Sequence, residues 1–309
     1  MMSMPLNSIA VLIPCYNEAA TIDKVVADFR RVLPEAQVYV YDNCSSDETA
    51  EKAQRAGAIV RHEPRQGKGN VVRSMFRDIK ADWYVLVDGD DTYPAEQVQG
   101  LLEFAQGGSD MVVGDRLSNG TYAKENKRGF HEFGNALVLF LINRLYHTKL
   151  CDIMSGYRVF SRRFVAMYPA LSDGFQIETD MTIFALNRRF RIVEVPIEYR
   201  DRPAGSISKL NTYRDGARVI LTIFNLYRFL HPLRYFSLIA LGLFLSGVAV
   251  GLPVIIEFLE TRYIAKVPSA ILASGLMVLS LMTFSNALIL DALNRSDQES
   301  FERQLKRLK

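Results

Sequence analysis

The chain has 309 residues, enough for one large α/β domain with an appendage or for two ordinary domains. Its formal net charge is only +3, which argues against a nucleic-acid partner held by bulk charge. Three cysteines, Cys15, Cys44 and Cys151, lie far apart without CxxC spacing; they read as free thiols in a reducing compartment, not as a zinc site or disulfide framework.

The opening residues, MMSMPLNS, carry no basic segment ahead of the first apolar run. That run, IAVLI at 9–13, stops at Pro14 and reads as a buried strand and not as a signal peptide, so the catalytic part is expected in the cytoplasm. Ile22, Val25, Val26, Phe29 and Val32 then fall at helical spacing, predicting a helix over about 21–33. VYVY at 38–41 predicts a second strand. Ser45 and Glu48 have the spacing of a capping box for a helix closing near Gly57. A third strand is expected around 58–61, then a Gly-rich turn and a helix, then the strand WYVLV at 83–87 and another at 110–114, DMVVG. The β-α-β-α-β order predicts an α/β fold, a mainly parallel sheet with helices on both faces.

Three strands end in polar clusters: Pro14-Cys15-Tyr16-Asn17-Glu18, Asp42-Asn43-Cys44-Ser45 and Asp88-Gly89-Asp90-Asp91. Open α/β sheets bind ligands beyond the carboxyl ends of their strands, so three such ends on one crevice point to a nucleotide. Asp88-Gly89-Asp90 is a D-x-D pattern. Close carboxylates repel unless a cation joins them, and a hard divalent ion, Mg²⁺ or Mn²⁺, takes oxygen ligands from both protein and phosphate. Asp91 is a spare acid. Asp42 is placed to accept from a base imide or a ribose hydroxyl, or else to close an Asx-turn. Gln66-Gly67-Lys68-Gly69-Asn70 lets backbone approach a phosphate or base, with Lys68 screening charge, but lacks Walker spacing. Arg116, Arg158, Arg200 and Arg202 are candidate phosphate clamps.

The tail differs. Residues 236–256 and 267–290 carry no charge, and each is about the length that crosses a bilayer core. The 10 residues between them, Glu257 to Lys266, make the spans a hairpin. Basic residues flank it upstream at Arg228, His231 and Arg234, and downstream at Arg295, Arg303, Lys306, Arg307 and Lys309. That places both termini on the cytoplasmic side. The expected layout is a catalytic domain over 1–210, a juxtamembrane amphipathic helix over 211–234, the hairpin over 235–290 and a basic tail over 291–309. Leu137–Leu145 reads either as a second interfacial helix or as one packed on the sheet. Gly242, Ser246, Gly247 and Gly251 would let helices of neighbouring subunits approach, suggesting a homo-oligomer.

In their order along the chain, several stretches together resemble family-2 glycosyltransferases of the dolichol-phosphate mannose synthase and bacterial polyprenyl-phosphate branch. They are Ile13 to Glu18, Asp42 to Asp47, Gly67 to Gly69, Asp88 to Asp90, Asp152 to Arg158, Phe175 to Glu178 and Gly205 to Leu210. The resemblance implies a GT-A fold with Pro14, Tyr16, Asn17, Glu18, Asp42, Asn43, Gly67, Lys68 and Asp88 on the nucleotide. Asp90 would hold the metal with Asp88 beside it. Arg116, Ser155, Arg158, Arg202 and Lys209 would lie at the acceptor or donor phosphates, Gln176 and Glu178 on the acceptor or sugar side, and Asp90, Asp91, Arg116 and Arg158 at the chemistry. This sequence departs from many members at Asn43-Cys44, where they read Asp-Gly, and from some at Thr92, where they carry Gln. The implied reaction is inverting transfer from a nucleotide-sugar, UDP-glucose or UDP-N-acetylglucosamine, to a polyprenyl phosphate. A lipid phosphate is already anionic and needs no general base, though Asp90 or Asp91 would serve if one acted. A processive polysaccharide synthase would show a downstream Q-x-x-R-W element, yet the one tryptophan is Trp83. A non-catalytic nucleotide-binding module would not be expected to keep Asp88, Asp90 and Arg158.

Overall fold

The computed structural model describes residues 8–118, 129–170, 174, 176–200, 227–228 and 231–308, with the side chains of 129–136 excepted. The chain divides into two compact units, Met1–Ile220 and Leu221–Lys309.

The first unit is an α/β layer structure. Its strands are β1 (Ile9–Cys15), β2 (Gln37–Asp42), β3 (Ile59–His62), β4 (Trp83–Leu86), β5 (Met111–Asp115), β6 (Arg158–Ser161) and β7 (Ile192–Pro196). Its helices are α1 (Ile22–Val32), α2 (Thr49–Arg55), α3 (Lys68–Asp78), α4 (Val98–Gln106), α5 (Gly129–Tyr146), α6 (Arg162–Met167) and α7 (Ile177–Asn187). The sheet order is β3-β2-β1-β4-β6-β5-β7. All pairings are parallel except those of β6, which runs against β4 and β5. The sheet is therefore mixed, with one reversed strand that the sequence pattern did not expose. RVFS is four residues long and opens with a buried arginine, so it carries neither an apolar run nor an alternation.

Alternation along the strands divides the core. Val11, Ile13, Val85 and Val159 join Val25, Val26 and Phe29 of α1 and Val98, Leu101 and Leu102 of α4. Phe160 instead meets an aromatic group, with ring centroids 5.5 Å from Phe76 and 4.9 Å from Phe164. On α5, Val138 and Ile142, four residues apart, are buried, while Phe140 is 63% exposed. One face of that helix packs and the other is open.

The second unit is a helical hairpin, α8 (Pro232–Thr261) and α9 (Val267–Arg307). Both are long and apolar enough to cross a membrane by length and composition. At 30 and 41 residues they span about 45 Å and about 61 Å, against about 30 Å of bilayer core. α8 continues through Glu257–Thr261, so the turn is shorter than the uncharged stretches suggested, and α9 carries the basic tail onward as helix. Gly247 lies against Leu276 and Met277, and Gly251 against Ala273. The Ser280 hydroxyl donates to the Ala240 carbonyl at 2.8 Å. Gly247 and Gly251, read as subunit contacts, thus serve the hairpin's own packing. Gly242 and Ser246 stay on its outer face. The expected helix over 211–234 lies almost wholly outside the described residues.

Candidate active site

Parallel pairing brings the carboxyl ends of β1, β2 and β4 to one edge of the sheet. Because β6 runs the other way, with Leu86 opposite Arg158, the loop Asp152–Tyr157 enters at that same edge. The β1–β2 ladder continues past the strands through the Asn43 N–H donating to the Cys15 carbonyl at 2.9 Å.

Two strand-end loops are tied together there. Asn17 adopts φ 53; its N–H donates to Ser45 Oγ at 2.9 Å and its Oδ1 accepts from the Ser46 N–H at 2.8 Å. The Glu18 N–H donates to Thr49 Oγ1 at 2.9 Å. The expected capping box is therefore absent. α2 starts at Thr49 with no side-chain cap from Glu48, because Ser45 is used by Asn17 and Asp47 accepts the Thr49 N–H. Pro14, Tyr16, Asn17 and Glu18 are half-buried along this edge. Asp42 is 5% exposed. Its Oδ2 accepts from the Ser45 N–H at 3.2 Å and lies 3.4 Å from His62 Nδ1. Its Oδ1 is buried with no partner among the described residues. A buried carboxylate oxygen without a donor is costly, and a ligand N–H or O–H would relieve that cost.

Asn43, read as a base contact, is buried and does another job. Its amide donates to the Glu63 and Arg65 carbonyls at 2.8 and 2.9 Å and accepts the Gly67 N–H at 2.7 Å. It fixes the loop that delivers Lys68. Gly67 sits at φ 131, a conformation only glycine adopts without strain. Lys68 Nζ lies 2.5 Å from both Asp88 Oδ1 and Glu178 Oε1. Burial opposes the ammonium, but the two carboxylates outweigh it and raise the Lys68 pKa above the ordinary lysine value. Lys68 is thus the joint between the nucleotide side and the first turn of α7. Glu178, 5% exposed, is its second anchor, and Gln176 is the residue before α7.

At the end of β4 the Thr21 hydroxyl donates to the Gly89 carbonyl at 2.7 Å. Asp90 is 2% exposed and its Oδ1 accepts from Thr92 Oγ1 at 2.6 Å. Asp91 turns away at φ 58 and pairs with Lys24 at 2.6 Å and Arg200 at 3.9 Å. The spare acid of the sequence is thus already paired with two cations. Gly156 packs on Asp88 so closely that a Cβ would collide with its carboxylate. The Gly156 N–H donates to the Tyr93 hydroxyl at 3.0 Å. No group of three His, Cys, Asp or Glu able to hold a metal occurs among the described residues. Asp88 and Asp90 offer carboxylate oxygens, and these fit a hard cation held by one or two carboxylates plus substrate phosphates, the usual arrangement for Mg²⁺. Asp88, Asp90 and Glu178 also outnumber the ammonium of Lys68.

Two predicted phosphate clamps turn out to be braces. The Arg116 guanidinium is bidentate to Asp152, at 2.7 and 2.9 Å, and lies 5.5 Å from the centre of the Tyr199 ring. Burial works against the Asp152 carboxylate, yet Arg116 lowers its pKa below the ordinary range. Arg158 is fully buried. It donates to the carbonyls of Ser155 (2.9 Å) and Ile153 (2.6 Å) and to Thr182 Oγ1 (2.9 Å). Burial lowers its pKa. Ser155 is itself 0% exposed and accepts the Tyr157 N–H. Arg158 and Ser155 therefore shape the 152–157 loop from within. Arg202 and Lys209 lie outside the described residues.

The model of glycosyl transferase family 2 matches residues 10–167, more than half of the chain, and takes in the ends of β1, β2 and β4. The chain belongs to that family. It is similar to the glycosyltransferase AglJ of Haloferax volcanii, 32% identical across 96% of this chain and 98% of the relative. It is similar to the dolichyl-phosphate hexose transferase of the same organism, 31% identical across 69% of this chain and 91% of that one. Among solved structures, it is similar to glucosyl-3-phosphoglycerate synthase from Mycobacterium tuberculosis, in complex with Mn²⁺, UDP and glucosyl-3-phosphoglycerate. The TM-score is 0.57 at 21% identity over 70% of this chain and 80% of that one. The expected GT-A fold is shown, and the protein is a glycosyltransferase.

Proposed function

We propose that this family-2 glycosyltransferase moves a sugar, with inversion, from a nucleotide-sugar to a polyprenyl phosphate. The observation that carries the reading is the union, in one chain, of an acidic strand-end edge with two helices long enough to span a bilayer. Similarity to a dolichyl-phosphate hexose transferase over most of the catalytic unit supports it.

In this reading Asp42 offers its unpartnered oxygen to the base or ribose, with Pro14, Tyr16, Asn17 and Glu18 bordering the nucleotide. Asn43 and Gly67 position Lys68, which balances Asp88 and Glu178 beside the diphosphate. Asp90, with Asp88 next to it, would hold Mg²⁺ or Mn²⁺, which when bound neutralises the leaving diphosphate. Arg116 and Arg158 keep the 152–157 loop rigid, and Arg202 and Lys209 meet the acceptor phosphate. The acceptor oxygen is already anionic, so orientation and electrostatics carry the rate and no base is assigned. The termini face the cytoplasm, and the hairpin holds the enzyme where its lipid substrate resides. UDP-glucose or UDP-N-acetylglucosamine is the preferred donor. A panel of radiolabelled UDP- and GDP-sugars, with and without chelator, tests this. Transfer from a UDP-sugar that stops in chelator is expected; transfer only from GDP-sugars, or full activity in chelator, contradicts the donor or the metal role.

A further inference from the structure

Thr92 has no part in the roles above, yet it is 1% exposed at the foot of the D-x-D turn. Its hydroxyl donates to Asp90 Oδ1 at 2.6 Å, and its N–H points to the same oxygen at 3.3 Å. Its carbonyl accepts the Arg200 N–H at 2.9 Å, so the residue is itself held by the chain leaving β7. Arg200 is fixed in turn near Asp91 and Glu96, at 3.9 and 3.7 Å. A carboxylate whose one oxygen receives two donors from an anchored residue is limited to one orientation. Hydrogen-bond partners behind a metal ligand are known to set its affinity in this way.

We propose that Thr92 is a positioning residue that presets the Asp90 carboxylate for a divalent cation. The inference rests on Asp90 being the residue that holds the cation. Thr92 does not touch the cation or the sugar. It acts by aiming Asp90, and the family members that carry glutamine here would have to fix that carboxylate by other means.

The test is direct cation binding. The purified full chain in detergent, with UDP present, is titrated with Mn²⁺ and free Mn²⁺ is read by electron paramagnetic resonance. Thr92→Val keeps the side-chain shape and removes the donor, and Mn²⁺ binding is expected to weaken about 10- to 100-fold. Thr92→Ser restores the donor and is expected to bind within about threefold of the parent, a rescue that a purely packing role would not give. Thr92→Val binding Mn²⁺ as tightly as the parent overturns the proposal. Asp90→Asn separates the two levels. If it too binds like the parent, the cation reading itself fails; if it loses the ion while Thr92→Val keeps it, only the role of Thr92 fails. Should Thr92→Val not fold, Thr92→Ala against Thr92→Ser makes the same comparison, with the same outcomes deciding.

Discussion

Lys68 offers a sharp quantitative test, because one buried ammonium serves two carboxylates from distant elements, that of Glu178 buried and that of Asp88 partly so. Its side chain is 10% exposed, Glu178 is 7% and Asp88 28%, with both contacts at 2.5 Å. Lys68→Met leaves both carboxylates without their partner. Breaking a buried pair in this way costs about 3–5 kcal/mol. For a unit of this size that lowers the melting temperature by roughly 6–20 °C. Glu178→Gln keeps an oxygen to accept from Lys68 and leaves the Asp88 pair intact, so about 1–2 kcal/mol is expected. The double variant should be more stable than the sum of the two by at least about 1 kcal/mol, since Glu178 is no longer stranded. The pKa of Lys68 is raised, so its contribution is complete below the ordinary lysine value and lost only as pH climbs through the higher folded value. The cost of Lys68→Met should therefore be flat between about pH 6 and about pH 9. Trp83, the only tryptophan, opens β4 and reports unfolding by fluorescence in detergent. A Lys68→Met protein melting within about 2 °C of the parent would refute the reasoning.

Glu194 is an acid of the opposite kind. Burial, with Asp115 and Asp152 nearby, raises its pKa, although its Oε1 accepts the N–H groups of Cys151 and Asp152 at 2.9 and 2.7 Å. Ionising an acid of raised pKa costs the folded state, so its stabilising share falls as pH rises from the ordinary carboxylate value through the folded one. Glu194→Gln keeps the accepting oxygen and should melt at or above the parent near neutral pH, the difference closing under acid; a lower melting point at neutral pH contradicts this. For topology, tags at both termini should be reached from the cytoplasmic face and a tag at Thr261 from the other face; an outward C-terminus breaks the hairpin reading. Arg202→Ala and Lys209→Ala should each lose turnover in detergent at low acceptor concentration while nucleotide affinity changes less. Full turnover in both removes them from the acceptor phosphate.

The elements legible in the sequence were those whose signal is local. Apolar runs gave β1, β2, β4 and β5, helical spacing gave α1, and uncharged length gave the hairpin. The strand-end acids Asp42, Asp88 and Asp90 were legible because parallel strands send their carboxyl ends to one edge. What local pattern could not carry was partnership. Asp152 is 36 residues from Arg116, and nothing in either neighbourhood announces that the arginine is already bound. Arg158 reads as a clamp because arginine binds phosphates and because it lies in a family-like stretch, whereas its compensation by two carbonyls and Thr182 exists only in the fold. The resemblance puts Asn43 on the nucleotide and the spacing to Glu48 puts Ser45 in a cap, but tertiary bonds claim both. The Lys68–Glu178 contact was hidden for the same reason, though each residue alone was marked.

The most direct test of the whole account is the acceptor. The purified chain in detergent is given a UDP-sugar, Mn²⁺ and either a short polyprenyl phosphate or 3-phosphoglycerate, and the products are read by mass spectrometry. A polyprenyl-phosphate sugar is the expected product, its formation abolished by Asp90→Asn. Transfer to 3-phosphoglycerate with none to the lipid phosphate would contradict it.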